Sequence, residues 1–110
     1  MTTTTITRQQ AIDLGGKPWT PSNGGAPRIY LNDAVWAELI GFEVRRYNTG
    51  NISDATIGGD HISNIKANEL LCTKVWVEGD TLHVRTRTQR MDEYATLIRS
   101  AVVAAAAALA

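Results

Sequence analysis

The chain reads as an α+β domain in which a mainly antiparallel sheet of successive hairpins, in ββα-like units, carries two or three helices packed on one face. Three observations predict this. A strand–turn–strand pattern followed by a short apolar-faced helix recurs three times. The last strand pair, Thr73 to Thr88, sorts its side chains cleanly between an apolar and a polar face. At 110 residues, the chain suits one domain that buries roughly two thirds of its unfolded surface, so a core can form without a metal or disulfide.

Residues 1 to 27 are weakly specified, and the first 16 or so are expected to be weakly ordered. A threonine run leads to a turn of helix at Arg8 to Leu14, then to a loop with Pro18, Pro21, Gly24, Gly25 and Pro27. That density of Gly and Pro excludes a regular central strand. Lys17 to Thr20 and Arg28 to Leu31 still suit a short first hairpin, with Trp19 packing as the loop anchor. The first full helix follows. Asn32 or Asp33 serves as N-cap, Val35, Trp36, Leu39 and Ile40 form a stripe at helical spacing, and Gly41 suits the left-handed residue that ends a helix.

The second strand pair is Phe42 to Tyr47 with Ile52 to Ile57. Setting Tyr47 opposite Ile52 places Arg45 opposite Asp54 as an exposed ion pair, Val44 opposite Ala55 and Phe42 opposite Ile57. Gly58-Gly59-Asp60 turns the chain, and Ser63 caps a helix through Leu71 that packs by Ile65, Ala67, Leu70 and Leu71. Cys72, beside those leucines, reads as a small core residue.

The third pair turns at Gly79-Asp80, so Trp76 faces His83, Val75 faces Val84 and Lys74 faces Arg85. Val75, Val77, Leu82 and Val84 share the core face; Lys74, Trp76, His83, Arg85 and Arg87 share the other. A last, Ala-rich helix spans about 89–110, with Met91, Tyr94, Ala95, Ile98, Val102, Ala105 and Leu109 at three- and four-residue steps. Met91 to Val103 is expected to pack on the sheet, and the final alanines to project or to meet a partner. Val35, Leu39, Leu70, Leu71, Leu97 and Ile98 are the helix residues expected to meet the apolar sides of the second and third strand pairs.

Basic and acidic residues balance at 11 each, which gives no long-range pull on nucleic acid. A single cysteine fits a reducing, cytoplasmic setting. The longest apolar run, Ala101 to Ala110, falls short of the ~20 residues of a membrane span, so no membrane role is expected. His61, Cys72 and His83 lack the paired spacing of zinc ligands, Gly58-Gly59 lacks the following residues of a phosphate loop, and Asp60-His61 beside Ser63 does not make a triad. No catalytic constellation, metal or cofactor is expected.

The outward face Lys74, Trp76, His83, Arg85 and Arg87 is the candidate binding surface. Trp and Arg are favoured anchors of protein interfaces. The same residue types also suit single-stranded nucleic acid, by stacking and phosphate contact. A purely structural account makes Trp76 and His83 a cross-strand pair covered by the N-terminal segment. The Ala-rich helix is a third candidate, as the seam of a homo-oligomer.

At Lys17-x-Trp19, Arg28-Ile29-Tyr30-Leu31, Tyr47-Asn48-Thr49-Gly50-Asn51-Ile52 and Ile62-Ser63-Asn64, the chain resembles small accessory proteins encoded by bacteriophages of actinobacteria, over residues 17–75. The resemblance carries no activity. It implies a phage or prophage setting, in which binding a host or phage protein is the common task. The expectation is therefore a non-enzymatic protein-binding module, such as a modulator or inhibitor of a host protein.

Overall fold

A computed structural model describes residues 6–88 and 91–109. The α+β class is as predicted, but the strands divide into two antiparallel sheets. The first helix, α1 (Arg8–Asp13), precedes the hairpin β1 (Lys17–Trp19) and β2 (Arg28–Leu31), and α2 (Asp33–Ile40) follows it. A small sheet comes next, β3 (Phe42–Arg46), β4 (Ile52–Ile57) and β5 (Asp60–His61), and then α3 (Asn64–Leu70). The hairpin β6 (Lys74–Glu78) and β7 (Thr81–Arg85) leads into α4 (Asp92–Ala108). The larger sheet has the order β1-β2-β6-β7, so the first and third hairpins are neighbours and everything from α2 to α3 is inserted between two adjacent strands.

The third hairpin has the register expected of a two-residue Gly79-Asp80 turn, from Lys74 opposite Arg85 to Glu78 opposite Thr81. The second is right from Phe42–Ile57 to Arg45–Asp54, and then a bulge places Arg46, not Tyr47, opposite Ile52. The bulge lets the loop close by a bond from Tyr47 N to Asn51 O, and Tyr47 is left largely exposed. The Gly58-Gly59 turn also starts a strand, since Asp60 and His61 pair back onto β4.

One core serves both sheets. Ile29, Leu31, Val75, Val77 and Leu82 from the large sheet join Phe42, Ile52 and Ala55 from the small one, with Trp36, Ala67, Leu70, Met91, Ile98 and Val102 from the helical segments. Trp36 is fully buried and stacks on Phe42 at 6.2 Å, so α2 is locked to the strand it feeds. Asn32 accepts from Val35 N, and Gly41, at φ 70°, ends the helix by giving its N–H to Ala37 and Glu38 carbonyls. Ser63 caps α3 as expected, accepting from Lys66 N.

Several residues lie elsewhere than the sequence predicts. The turn of helix expected at Arg8 to Leu14 is present as α1, whereas the cap before it was not foreseen: Thr7 and Gln10 make a complete capping box, and Ile6 and Ala11 are buried. Helix α1 packs on the apolar side of β2 and β6, where Gly16 sits so close that a Cβ there would be 2.6 Å from Ile29 Cγ2. It therefore does not cover Trp76 and His83, which lie on the opposite side of that sheet.

Leu39, Ile65 and Leu97 point outward, because each helix needs only a narrow stripe once Trp36, Ala67 and Ile98 fill the contact. Cys72 is exposed, not core; its thiol donates to Asn68 O at 3.4 Å beyond the end of α3. The alanine-rich end of α4 does not project as a whole, since Ala106 is buried and its carbonyl accepts from Gln10 of α1 at 3.2 Å. Ala106 takes the place predicted for Ala105, and Leu109 is exposed. Gln89, the predicted start of this helix, lies outside the described residues, as does Ala110.

Candidate binding surface on the four-stranded sheet

Alternation along each strand sends every second side chain away from the core, and the four registers align those residues into rungs. One rung crosses all four strands as Lys17, Tyr30, Trp76 and His83. The next reads Trp19, Arg28, Glu78 and Thr81, and a third, on β6 and β7 alone, pairs Lys74 with Arg85. The helices α1 and α4 pack on the large sheet from its apolar side. Trp19, Lys17, Lys74 and Arg85 are exposed, whereas Tyr30, Trp76, Glu78 and His83 are half-buried by one another.

The aromatic rings touch in series. Trp19 meets Tyr30 edge-on at 5.8 Å, Tyr30 meets Trp76 at 6.2 Å, and His83 stacks on Trp76 at 5.1 Å. Each such pair is worth about 0.5–1.5 kcal/mol beyond the area it buries. The Arg28 guanidinium sits 4.9 Å from the Trp76 ring centre. Arg28 reaches the indole from β2 and His83 from β7, the two strands that flank β6. Trp76 is therefore covered from both flanking strands, with its Nε1 buried and unpartnered.

Arg28 is held in place by three contacts. Besides the indole, it donates to Tyr30 Oη at 3.0 Å and from Nε to Glu78 Oε1 at 3.2 Å. The bond to Tyr30 does most to raise the Arg28 pKa above its ordinary value; desolvation opposes this and Glu78 adds to the rise, so the guanidinium stays charged.

Of the residues predicted for this surface, Lys74, Trp76, His83 and Arg85 stand together on it. Arg87 lies just past the end of β7, where its Nη1 is 3.8 Å from Cys72 Sγ. It lines a depression of about 440 Å³ with Cys72, Lys74, Arg85 and Thr86. A second depression, about 340 Å³, is formed by Arg28, Tyr30, Lys74, Trp76 and Arg85. A third, about 530 Å³, runs from Tyr30 and Lys74 past Asn32, Asp33 and the buried Thr73. Lys74 borders all three.

Sequence reasoning missed Lys17, Trp19, Arg28 and Tyr30. The alternation Arg28-Ile29-Tyr30-Leu31 already separates their faces, but nothing local says that β2 lies beside β6.

The small sheet has its own polar face. Asp54 Oδ1 lies 2.9 Å from His61 Nδ1, so Asp54 is paired with His61 and not with Arg45, its predicted partner. His61 thus turns away from the serine nearby in sequence, and Ser63 is occupied as a helix cap. Among the described residues no three of His, Cys, Asp or Glu converge as metal ligands would, and no helix is long and apolar enough to cross a membrane. Comparisons with family models, with curated proteins and with solved structures find no match to this chain.

Proposed function

We propose that the protein is a non-enzymatic binding module whose outer sheet face docks a protein partner. The observation that carries this reading is the Trp19–Tyr30–Trp76–His83 ladder, braced by Arg28 and set on a rigid antiparallel sheet. Aromatic and arginine side chains that are already fixed lose little entropy on association, which is the property of interface anchors. The resemblance to actinophage accessory proteins agrees with such a role, as a modulator or inhibitor of a host protein.

Binding of single-stranded nucleic acid by the same face is the alternative. It is disfavoured by the zero net charge, which gives no long-range attraction for phosphates, and by the packing of Arg28 and His83 against Trp76, which leaves the exposed Trp19 as the platform for stacking. Assembly through the C-terminal helix is disfavoured in turn by the use of Ala106 within the fold.

The test is capture of partners from an actinobacterial lysate on the immobilised chain, read by mass spectrometry. Trp76→Ala and Arg85→Ala are each expected to lose the captured protein while keeping the far-UV circular dichroism of the parent. Unchanged capture by both folded variants removes this face from consideration.

A further inference from the structure

Resting on that reading of the face, we infer that its Lys74/Arg85/Arg87 end is a seat for carboxylates, and that the docked partner segment is acidic. Two cations stand directly opposite each other at Lys74 and Arg85, an arrangement that costs a sheet stability unless something offsets it. Among the described residues no carboxylate forms an ion pair with either. Glu78, the one carboxylate on the ladder, is already committed to Arg28. Asp33 borders the largest depression with Lys74 but forms no ion pair there. Arg87 adds a third positive charge, and its recorded contact is a weak one to the Cys72 thiol.

These cations are also where the surface is concave. Lys74 borders all three adjoining depressions, Arg85 two of them, and Tyr30 and Trp76 wall the middle one. A carboxylate seated there takes charge-assisted hydrogen bonds from Arg85 and Lys74 while the neighbouring residue of its chain lies against the aromatic ladder. The chain as a whole has no net charge, so the positive potential is local and selects a short acidic segment at contact range.

The experiment uses the full chain and fluorescence anisotropy at low salt with three labelled probes: a decapeptide alternating Glu and Gly, the same peptide with Gln for Glu, and a ten-nucleotide oligo-dT. The Glu peptide is expected to bind, and the Gln peptide to bind at least tenfold more weakly. Lys74→Glu and Arg85→Glu should each weaken the Glu peptide by at least tenfold, while Lys66→Glu, on exposed α3, should not. A second readout is independent of ligand. Lys74→Glu sets a carboxylate opposite Arg85, so it is expected to raise the melting temperature by about 1–4 °C as it abolishes binding.

The inference is overturned if the Glu and Gln peptides bind alike, if the oligonucleotide binds more tightly than the Glu peptide, or if charge reversal at Lys74 and Arg85 changes nothing. Loss of lysate capture in Trp76→Ala but not in Lys74→Glu would overturn the carboxylate seat and leave the protein-docking face intact. Retention in both would overturn the two together.

Discussion

Replacing Gly16 with alanine asks whether α1 lies on the apolar side of the large sheet, and hence whether the aromatic ladder is open. A Cβ on Gly16 would stand 2.6 Å from Ile29 Cγ2, 2.7 Å from Ala11 O and 3.0 Å from Leu31 Cδ2. None of these can move freely. Ile29 and Leu31 are buried, and Ala11 O is backbone that accepts the Gly16 N–H at 2.9 Å.

Overpacking of this kind costs about 1–3 kcal/mol. The loss of unfolded-state freedom on going from Gly to Ala returns about 0.4–1 kcal/mol. The net expectation for Gly16→Ala is a destabilisation of up to about 2.6 kcal/mol, or a melting point lower by up to roughly 10 °C for a domain of this size. Urea titration followed by far-UV circular dichroism measures it, with an unchanged slope showing that the unfolded state is not what moved. Gly25→Ala, in an exposed loop with only a Pro and an Asn side chain near, should stay within about 0.5 kcal/mol. A Gly16→Ala protein more stable than the parent, by the roughly 0.4–1 kcal/mol that an unstrained Gly→Ala change returns, would mean that α1 is not seated on Ile29 and Leu31, which would reopen the idea that the N-terminal segment covers Trp76.

Other outcomes follow from the same geometry. Trp36→Ala empties the fully buried site stacked on Phe42 and should cost about 3–5 kcal/mol in the same titration, enough to leave the domain marginal. Thr7→Ala removes one arm of the capping box on α1 and should cost about 1 kcal/mol; no change would show that α1 contributes nothing to the cooperative unit. Cys72, exposed at the end of α3, should react with a thiol-specific disulfide reagent in the native protein as fast as in urea, whereas protection would return it to the core.

What could be read from the sequence was what each strand pair decides locally. A two-residue Gly-Asp turn with alternating apolar residues admits one register, so β6 and β7 were legible residue by residue. The β3–β4 register was legible until the bulge after Arg45, which depends on how the Tyr47–Asn51 loop closes. The pairing of β2 with β6 was not legible, because any strand with an apolar face at Ile29 and Leu31 could lie beside several others. Half of the candidate surface was hidden for that reason, and with it Arg28, which pairs with Glu78 and covers Trp76. The helices misled in another way: Leu39, Ile65 and Leu97 keep helical spacing, but a buried neighbour on the same helix, such as Trp36 beside Leu39, is enough to fill the contact.

The insertion of the small sheet between two adjacent strands has a consequence for the order of assembly. Leu31 and Val75 face each other, so the chain leaves the large sheet and re-enters it at one place after about 40 residues. Closing a loop of that length costs about 2 kcal/mol more than closing the few residues between β3 and β4. If α2 through α3 condenses first, Leu31 and Lys74 are brought together before they pair, and most of that cost is met in advance. Pulse-labelled hydrogen exchange during refolding should then protect the amides of β3 and β4 before those of Ile29 and Val77. The aromatic ladder, which needs both hairpins, would be among the last features to form, so the proposed docking face would exist only in a chain whose interior is already complete.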